Sequence, residues 1–183
     1  MSKEPKATLV DAKGIRRSLT RLAHEILENS DDLGTTRIIG IRDRGDHLAE
    51  RLARIIKDVE GEEIPIGFLD ITFYRDDFRT KLSQPSVMST EIPFDLEDMD
   101  IILVDDVLYT GRTIRSAMDA IMDYGRPSSI RLAVLIDRGH RELPIRPDFV
   151  GKNIPTAADE QVRVRLSEID GEDAIYLYER EEE

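Results

Sequence analysis

Residues 101–113 read IILVDDVLYTGRT, and this stretch constrains the fold more than any other part of the chain. Ile101, Ile102, Leu103 and Val104 are too few for a helix and run into two acids, so they read as a fully buried strand of a parallel sheet. Beyond the acids Gly111 permits a tight turn. Thr113 is the expected N-cap of a helix whose Ile114, Ala117, Met118, Ile121 and Met122 face inward, with Gly125 ending it and Pro127 beyond.

The same strand, loop and helix order recurs upstream. Thr36–Ile41 reads as a buried strand, Arg42–Gly45 as a loop, and Leu48, Leu52, Ile55, Ile56 and Val59 as the inner face of a helix. Ile130–Ile136 is a further buried strand, and Ile64–Tyr74 another. An earlier helix carries Ile15, Leu19, Leu22, Ala23 and Ile26 on one face and Arg17, Thr20, Arg21 and His24 on the other. Near the end, VRVRL and AIYLY flank Asp170-Gly171 as an antiparallel hairpin would. Strands alternating with helices predict an α/β fold, a mostly parallel open sheet flanked by helices, with ligands at the carboxyl ends of the strands. Residues 75–93 show no periodicity, and a stretch of that length in a compact domain is a functional lid or a disordered segment.

The 183 residues suit one ordinary domain, taken as residues 1–180 with an acidic tail at 181–183. The sequence has no cysteine, which excludes thiol catalysis and thiolate metal sites. No apolar stretch approaches the roughly 18–20 residues of a membrane span, and MSKEPKATLV lacks the apolar centre of a secretory signal, so the expected location is cytoplasmic. A net charge of −12 opposes a general affinity for polyanions. Yet residues 1–24 carry six basic side chains against two acids, and residues 126–152 six against three. Two basic segments distant in sequence could therefore share one positive face, or be ordinary solvated charge.

Two adjacent carboxylates at the mouth of a buried strand oppose each other's ionisation unless a ligand uses them. Asp105 and Asp106 can accept hydrogen bonds from ribose hydroxyls and indirectly hold a metal ion through substrate and water. Tyr109–Thr113 then offers hydroxyls from Thr110 and Thr113, the Arg112 guanidinium, and amide donors at a helix N-terminus, a cradle for a monoester phosphate. Together they outline a ribose 5-phosphate. A receiver-type magnesium pocket would also need an acid on a later strand and a facing lysine, and neither is evident.

With these residues, the sequence resembles the type I phosphoribosyltransferases, whose signature is a hydrophobic strand, two acids and a TG(R/K)T-like loop. VDDVLYTGRT together with YGRPSSIRLAVLIDRGHRELPIRPDFVGKNIPT resembles, more narrowly, the PyrR family of bifunctional pyrimidine-operon regulators and uracil phosphoribosyltransferases, over roughly residues 8–180. The resemblance implies the type I phosphoribosyltransferase fold with a small C-terminal hood and a flexible lid loop. It implies conversion of uracil and phosphoribosyl pyrophosphate (PRPP) to UMP and pyrophosphate, with Mg2+. The substrate site would comprise Arg42, Asp43 and Arg44 of the pyrophosphate loop together with Asp105, Asp106, Val107, Leu108, Tyr109, Thr110, Gly111, Arg112 and Thr113. Asp43 departs from the pattern, in which an uncharged residue is commoner, and a carboxylate there would turn outward or engage the metal. Arg75, Arg79 and Lys81 belong to the implied lid, with Arg75 the preferred contact and, beside Arg42, Asp105 and Asp106, a catalytic candidate. Arg138, Phe149, Val150 and Val162 fall on the uracil side.

Family members that regulate transcription bind a hairpin in leader mRNA, and the resemblance puts Thr20, Arg21, His24, Arg141, Arg146 and Lys152 on that surface. It also implies a homodimer or larger homo-oligomer, and neither DNA nor membrane as partner. Two alternatives stay open: a non-catalytic RNA-binding regulator that senses UMP or PRPP, and a purine or orotate phosphoribosyltransferase.

Overall fold

The computed structural model describes residues 4–72 and 89–179. Its first strand, β1 (Ala7–Asp11), leads into helix α1 (Ala12–Glu28), which Asp11 caps by accepting a 2.7 Å bond from the Gly14 amide. Next come β2 (Thr36–Ile41), α2 (Gly45–Glu60) and β3 (Ile66–Leu69). The second half holds β4 (Asp100–Leu108), α3 (Arg112–Tyr124), β5 (Ser129–Asp137) and β6 (Phe149–Asn153), then β7 (Glu160–Arg165), the single turn α4 (Ser167–Asp170) and β8 (Ala174–Glu179).

The main sheet is parallel throughout, in the order β3-β2-β4-β5-β6. Its central strands are apolar on both faces because helices cover both. Ile38 and Ile102 point to the side of α1 and α2, whereas Ile39, Ile101 and Leu103 pack with Ile114, Ala117, Ala120 and Ile121 of α3. A smaller antiparallel sheet, β1-β8-β7, forms the hood. It sends Val162, Val164, Leu166 and Ile175 into the same buried cluster as α1 and α2, so both sheets share a core.

The expected strands and helices are present, with physical differences at their edges. β4 continues through both acids to Leu108, because β5 keeps pairing with it as far as Asp137. Helix α3 starts at Arg112 with Gly111 as its cap, not with Thr113, since Thr110 Oγ1 already accepts the Arg112 amide. Val59 (45% exposed) and Met122 (56%) lie beyond the core-facing parts of their helices. β3 stops at Leu69, where Asp70 Oδ1 accepts the Thr72 amide and turns the chain, so the strand expected up to Tyr74 is shorter. The C-terminal hairpin pairs as expected, but residues 166–173, α4 included, separate its strands. β1 and β6 have no counterpart in the sequence reading. No described helix is long and apolar enough to cross a membrane.

Candidate active site

The carboxyl end of β4 carries the two acids. Asp105 is 7% exposed, and its Oδ1 accepts the Asp106 amide at 2.9 Å; Asp106 Oδ1 in turn accepts the Val107 amide at 2.7 Å. Burial, the neighbouring Asp106 and, more weakly, Asp43 push the Asp105 carboxyl well above the usual carboxylate range. Burial also raises Asp106, while the Val107 amide and the Arg44 charge oppose the rise. The pair is a concentration of poorly solvated negative charge that hydroxyl donors or a cation would relieve.

Immediately beyond, the backbone turns at Gly111 with φ of 93°, a conformation that disfavours any side chain. The loop after β5 buttresses this turn: Glu142 and Leu143 donate their amides to Thr110 O at 3.0 and 3.1 Å, and Arg141 Nη1 donates to Tyr109 O at 2.8 Å. α3 begins here, so the helix N-terminus, Thr110 and Thr113 border one region. A cavity of about 470 Å³ is lined by Asp105, residues 107–114 and Ser116. A second, of about 510 Å³, runs from Ile41–Arg44 past Asp70–Thr72 to the same acids. A third, of about 460 Å³, opens between Asp106, Val107 and the hood residues 161–165 and Asp170. Val107 lines all three spaces, Asp105 the first two and Asp106 the last two, and each space is within the size range of small-molecule sites.

Between the second and third spaces lies the loop before α2. Two glycines seat it: a Cβ on Gly40 would come within 2.5 Å of Asp46 Cα, and one on Gly45 within 2.4 Å of Val104 O. Asp43 takes φ of 95° and its side chain is 79% exposed, turned outward and accepting from Arg44 Nη1 at 3.1 Å. Arg42 donates to Glu91 Oε1 at 2.9 Å and Ser89 O at 3.1 Å, approaches Asp46 at 3.5 Å and stacks on Phe68. Arg44 reaches the hood. Both arginines border the site while fastening its parts together. The lid candidates Arg75, Arg79 and Lys81 lie outside the described residues.

On the other flank, Arg138 is 4% exposed, stacks 4.0 Å from the Tyr109 ring centroid, and donates to Thr156 Oγ1 and Glu160 O. It supports the turn through Tyr109, which lines the first cavity, and does not itself line any of the three. Val162 lines the hood-side cavity. Phe149 and Val150 do not reach it. They begin β6, level with Ala133 and Val134, and Phe149 is buried in the α1-side core, so neither lines any of the three cavities, although both were expected on the uracil side. Several lining residues escaped the sequence reading, among them Asp70, Thr72, Ser116, Gln161 and Asp170. Only the sheet topology brings them to one cleft.

The basic segments do meet. α1 packs beside β6, where Arg21 Nη2 donates to Val150 O and Gly151 O. Thr20, Arg21, His24 and Lys152 are exposed along this junction, and Arg146 is exposed just before β6. Arg141 is the exception: it folds inward onto Asp137 Oδ2 at 2.5 Å and onto Tyr109 O and Ile145 O.

The family model for the phosphoribosyl transferase domain matches residues 6–167. The bifunctional protein PyrR of Pelotomaculum thermopropionicum is 60% identical over 177 residues, covering 97% of this chain and 98% of that protein. The chain belongs to the PyrR family of phosphoribosyltransferases. Its likeness to the family spans distant bacteria: the PyrR protein of Bacillus subtilis is 53% identical over 178 residues, 96% of this chain and 98% of its own length. Among solved structures, hypoxanthine phosphoribosyltransferase from Trypanosoma cruzi superimposes with a TM-score of 0.71 at 19% identity, covering 97% of this chain and 98% of the other. That likeness supports the fold alone, and the fold is the one the family resemblance implied.

Proposed function

We propose that the chain transfers the phosphoribosyl group of PRPP to uracil, yielding UMP and pyrophosphate. One observation carries this reading: Asp105 and Asp106 link three adjoining cavities, Asp105 lining the first and second and Asp106 the second and third, with the phosphate turn on one side and the loop before α2 on the other. The 5-phosphate fits the turn at Tyr109–Thr113, the ribose hydroxyls fit Asp105 and Asp106, and the pyrophosphate fits the space beside Arg42–Arg44. Uracil N1 forms the bond to C1′ as the C1′–O bond to pyrophosphate breaks and the oxygen leaves with the electron pair; the N1 proton is lost from the base. Catalysis is mainly positioning and stabilisation of the departing charge.

The donor set fits Mg2+ through the substrate. The described residues contain no group of three or more metal-ligating side chains, whereas the raised, adjacent Asp105 and Asp106 favour positive charge nearby. The ion, held largely by PRPP oxygens and water, would supply charge neutralisation for the leaving group, with Asp105 and Asp106 orienting ribose hydroxyls and water around it. Arg75 is retained as the lid contact. Arg138 and Val162 shape the uracil side, with backbone groups of the hood selecting the pyrimidine.

The exposed α1–β6 junction supports the second activity, UMP-dependent binding of a leader-mRNA hairpin that attenuates transcription of pyrimidine genes. Thr20, Arg21, His24, Arg146 and Lys152 form its contact face. The substrates, phosphorylated metabolites and RNA, set this work in the cytoplasm, and family membership supports a homodimer or larger assembly. A panel of uracil, orotate, hypoxanthine and guanine, each supplied with PRPP and Mg2+, tests the reading. UMP should accumulate with uracil and little nucleotide with the others; turnover of a purine or orotate instead would replace it.

A further inference from the structure

The Asp170-Gly171 turn joins the hood to the pyrophosphate side. Asp170 Oδ1 and Oδ2 both lie 3.2 Å from Arg44 Nη2, and Oδ2 also accepts the Leu166 amide at 3.0 Å. Arg44 Nε donates to Val164 O at 2.7 Å on β7. Its Nη1 meets Asp43. One guanidinium therefore spans from the left-handed Asp43 to the hood, beside the Asp106 carboxyl whose ionisation it favours. Arg44, Asp106 and Asp170 line the same cavity. Arg44 is also the cap residue of α2, followed by Gly45 lying directly on β4, so its side chain controls a loop with little backbone slack.

We propose that Asp170 is a positioning residue for the pyrophosphate side of the reaction: it holds Arg44 across the cleft and keeps the loop at Asp43 in the shape that receives PRPP. This rests on the phosphoribosyltransferase reading given above. Asp170 acts through Arg44, to which both its carboxylate oxygens are bound. A fold-stabilising role alone would be interchangeable with the neighbouring clamp, in which Arg51 donates to Asp173 and Glu168 at 2.5–2.9 Å between α2 and the hood. That clamp lines a different cavity, away from the acids.

Steady-state kinetics of the full chain with uracil, PRPP and Mg2+ separate the two roles. Asp170→Asn keeps the shape and removes the charge. It should raise KM for PRPP by roughly tenfold, the scale of one charge-assisted hydrogen bond, while KM for uracil stays within about twofold. Asp170→Glu should recover part of the loss. In an Arg44→Ala background the Asn substitution should add nothing, because the residue it acts through is gone. Asp173→Asn should lower the melting temperature and leave KM for PRPP unchanged. The inference is overturned if Asp170→Asn lowers only the active fraction with KM unmoved, or shifts KM equally with and without Arg44. Should Asp170→Asn fail to fold, Asp170→Glu and its Arg44→Ala double variant carry the same comparison. A wild-type protein that makes no nucleotide from any base would remove the underlying reading as well, whereas a normal wild type with unmoved variants removes this inference alone.

Discussion

Asp105 is the residue at which chemistry and stability pull apart. Burial and Asp106 raise its ionisation range, so the folded chain holds the proton more tightly than the unfolded chain does. The stability this brings is complete below the ordinary carboxylate range and is lost as pH climbs through the raised folded value. Asp105→Asn should therefore melt a few degrees higher than wild type in ligand-free neutral buffer and flatten the pH dependence of melting above the carboxylate range, both read by calorimetry. The Asp105→Asn, Asp106→Asn double variant should lose at least about 10³-fold in UMP formation, since it removes both groups that orient the sugar. At Gly111 the backbone angle sets the demand, because the nearest side-chain atoms would stand 3.4 Å from a new Cβ, an ordinary contact. Gly111→Ala should then cost about 1–2 kcal/mol of stability and weaken UMP binding, measurable by thermal shift with and without nucleotide. The acids and the glycine were legible in the sequence, since each residue type answers a chemical need at one spot. Asp170 was legible only as a turn, because its partner lies 126 positions away.

At the scale of elements, the buried strands announced themselves through unbroken aliphatic runs, and the helices through period and caps. β1 and β6 did not, for a physical reason: they lie at sheet edges, where one strand neighbour and partial exposure replace a long apolar run. That Phe149 and Val150 lie off the three cavities was hidden for the same reason, since nothing local shows that they open an edge strand at its amino end. The loop after β5 shows how two like residues part in the fold. Arg141 and Arg146 look alike in DRGHRELPIR, but one braces the phosphate turn and the other faces solvent. Arg141→Ala should cost about 2 kcal/mol of stability and raise KM for PRPP. Arg146→Ala should leave turnover intact and lower the salt dependence of leader-RNA affinity by about one unit of log–log slope. Filter binding across a salt series, run beside the UMP assay, distinguishes them.

For the whole molecule, net charge misleads and its placement informs. The chain is acidic overall, yet α1 and β6 bring two basic segments to one junction that no count of residues would reveal. Hood and main sheet share a buried cluster, and Arg51 ties them again through Glu168 and Asp173. The described residues are therefore tied into one cooperative unit. Melting should be a single transition by far-UV circular dichroism and by calorimetry, and Arg51→Ala should reduce stability by about 1–3 kcal/mol without splitting the transition, because two half-buried carboxylates lose their partner.

The bare contacts at Gly40 and Gly45 have a consequence for how such a cleft can diversify. Backbone rests on backbone there, with no side chain to trade, so the part that handles sugar and leaving group is a chassis that tolerates no padding. The hood is instead fastened to the rim of the cleft by side chains, which can be exchanged one at a time. New base preferences should arise by rewriting β7 and its turn over an unaltered chassis.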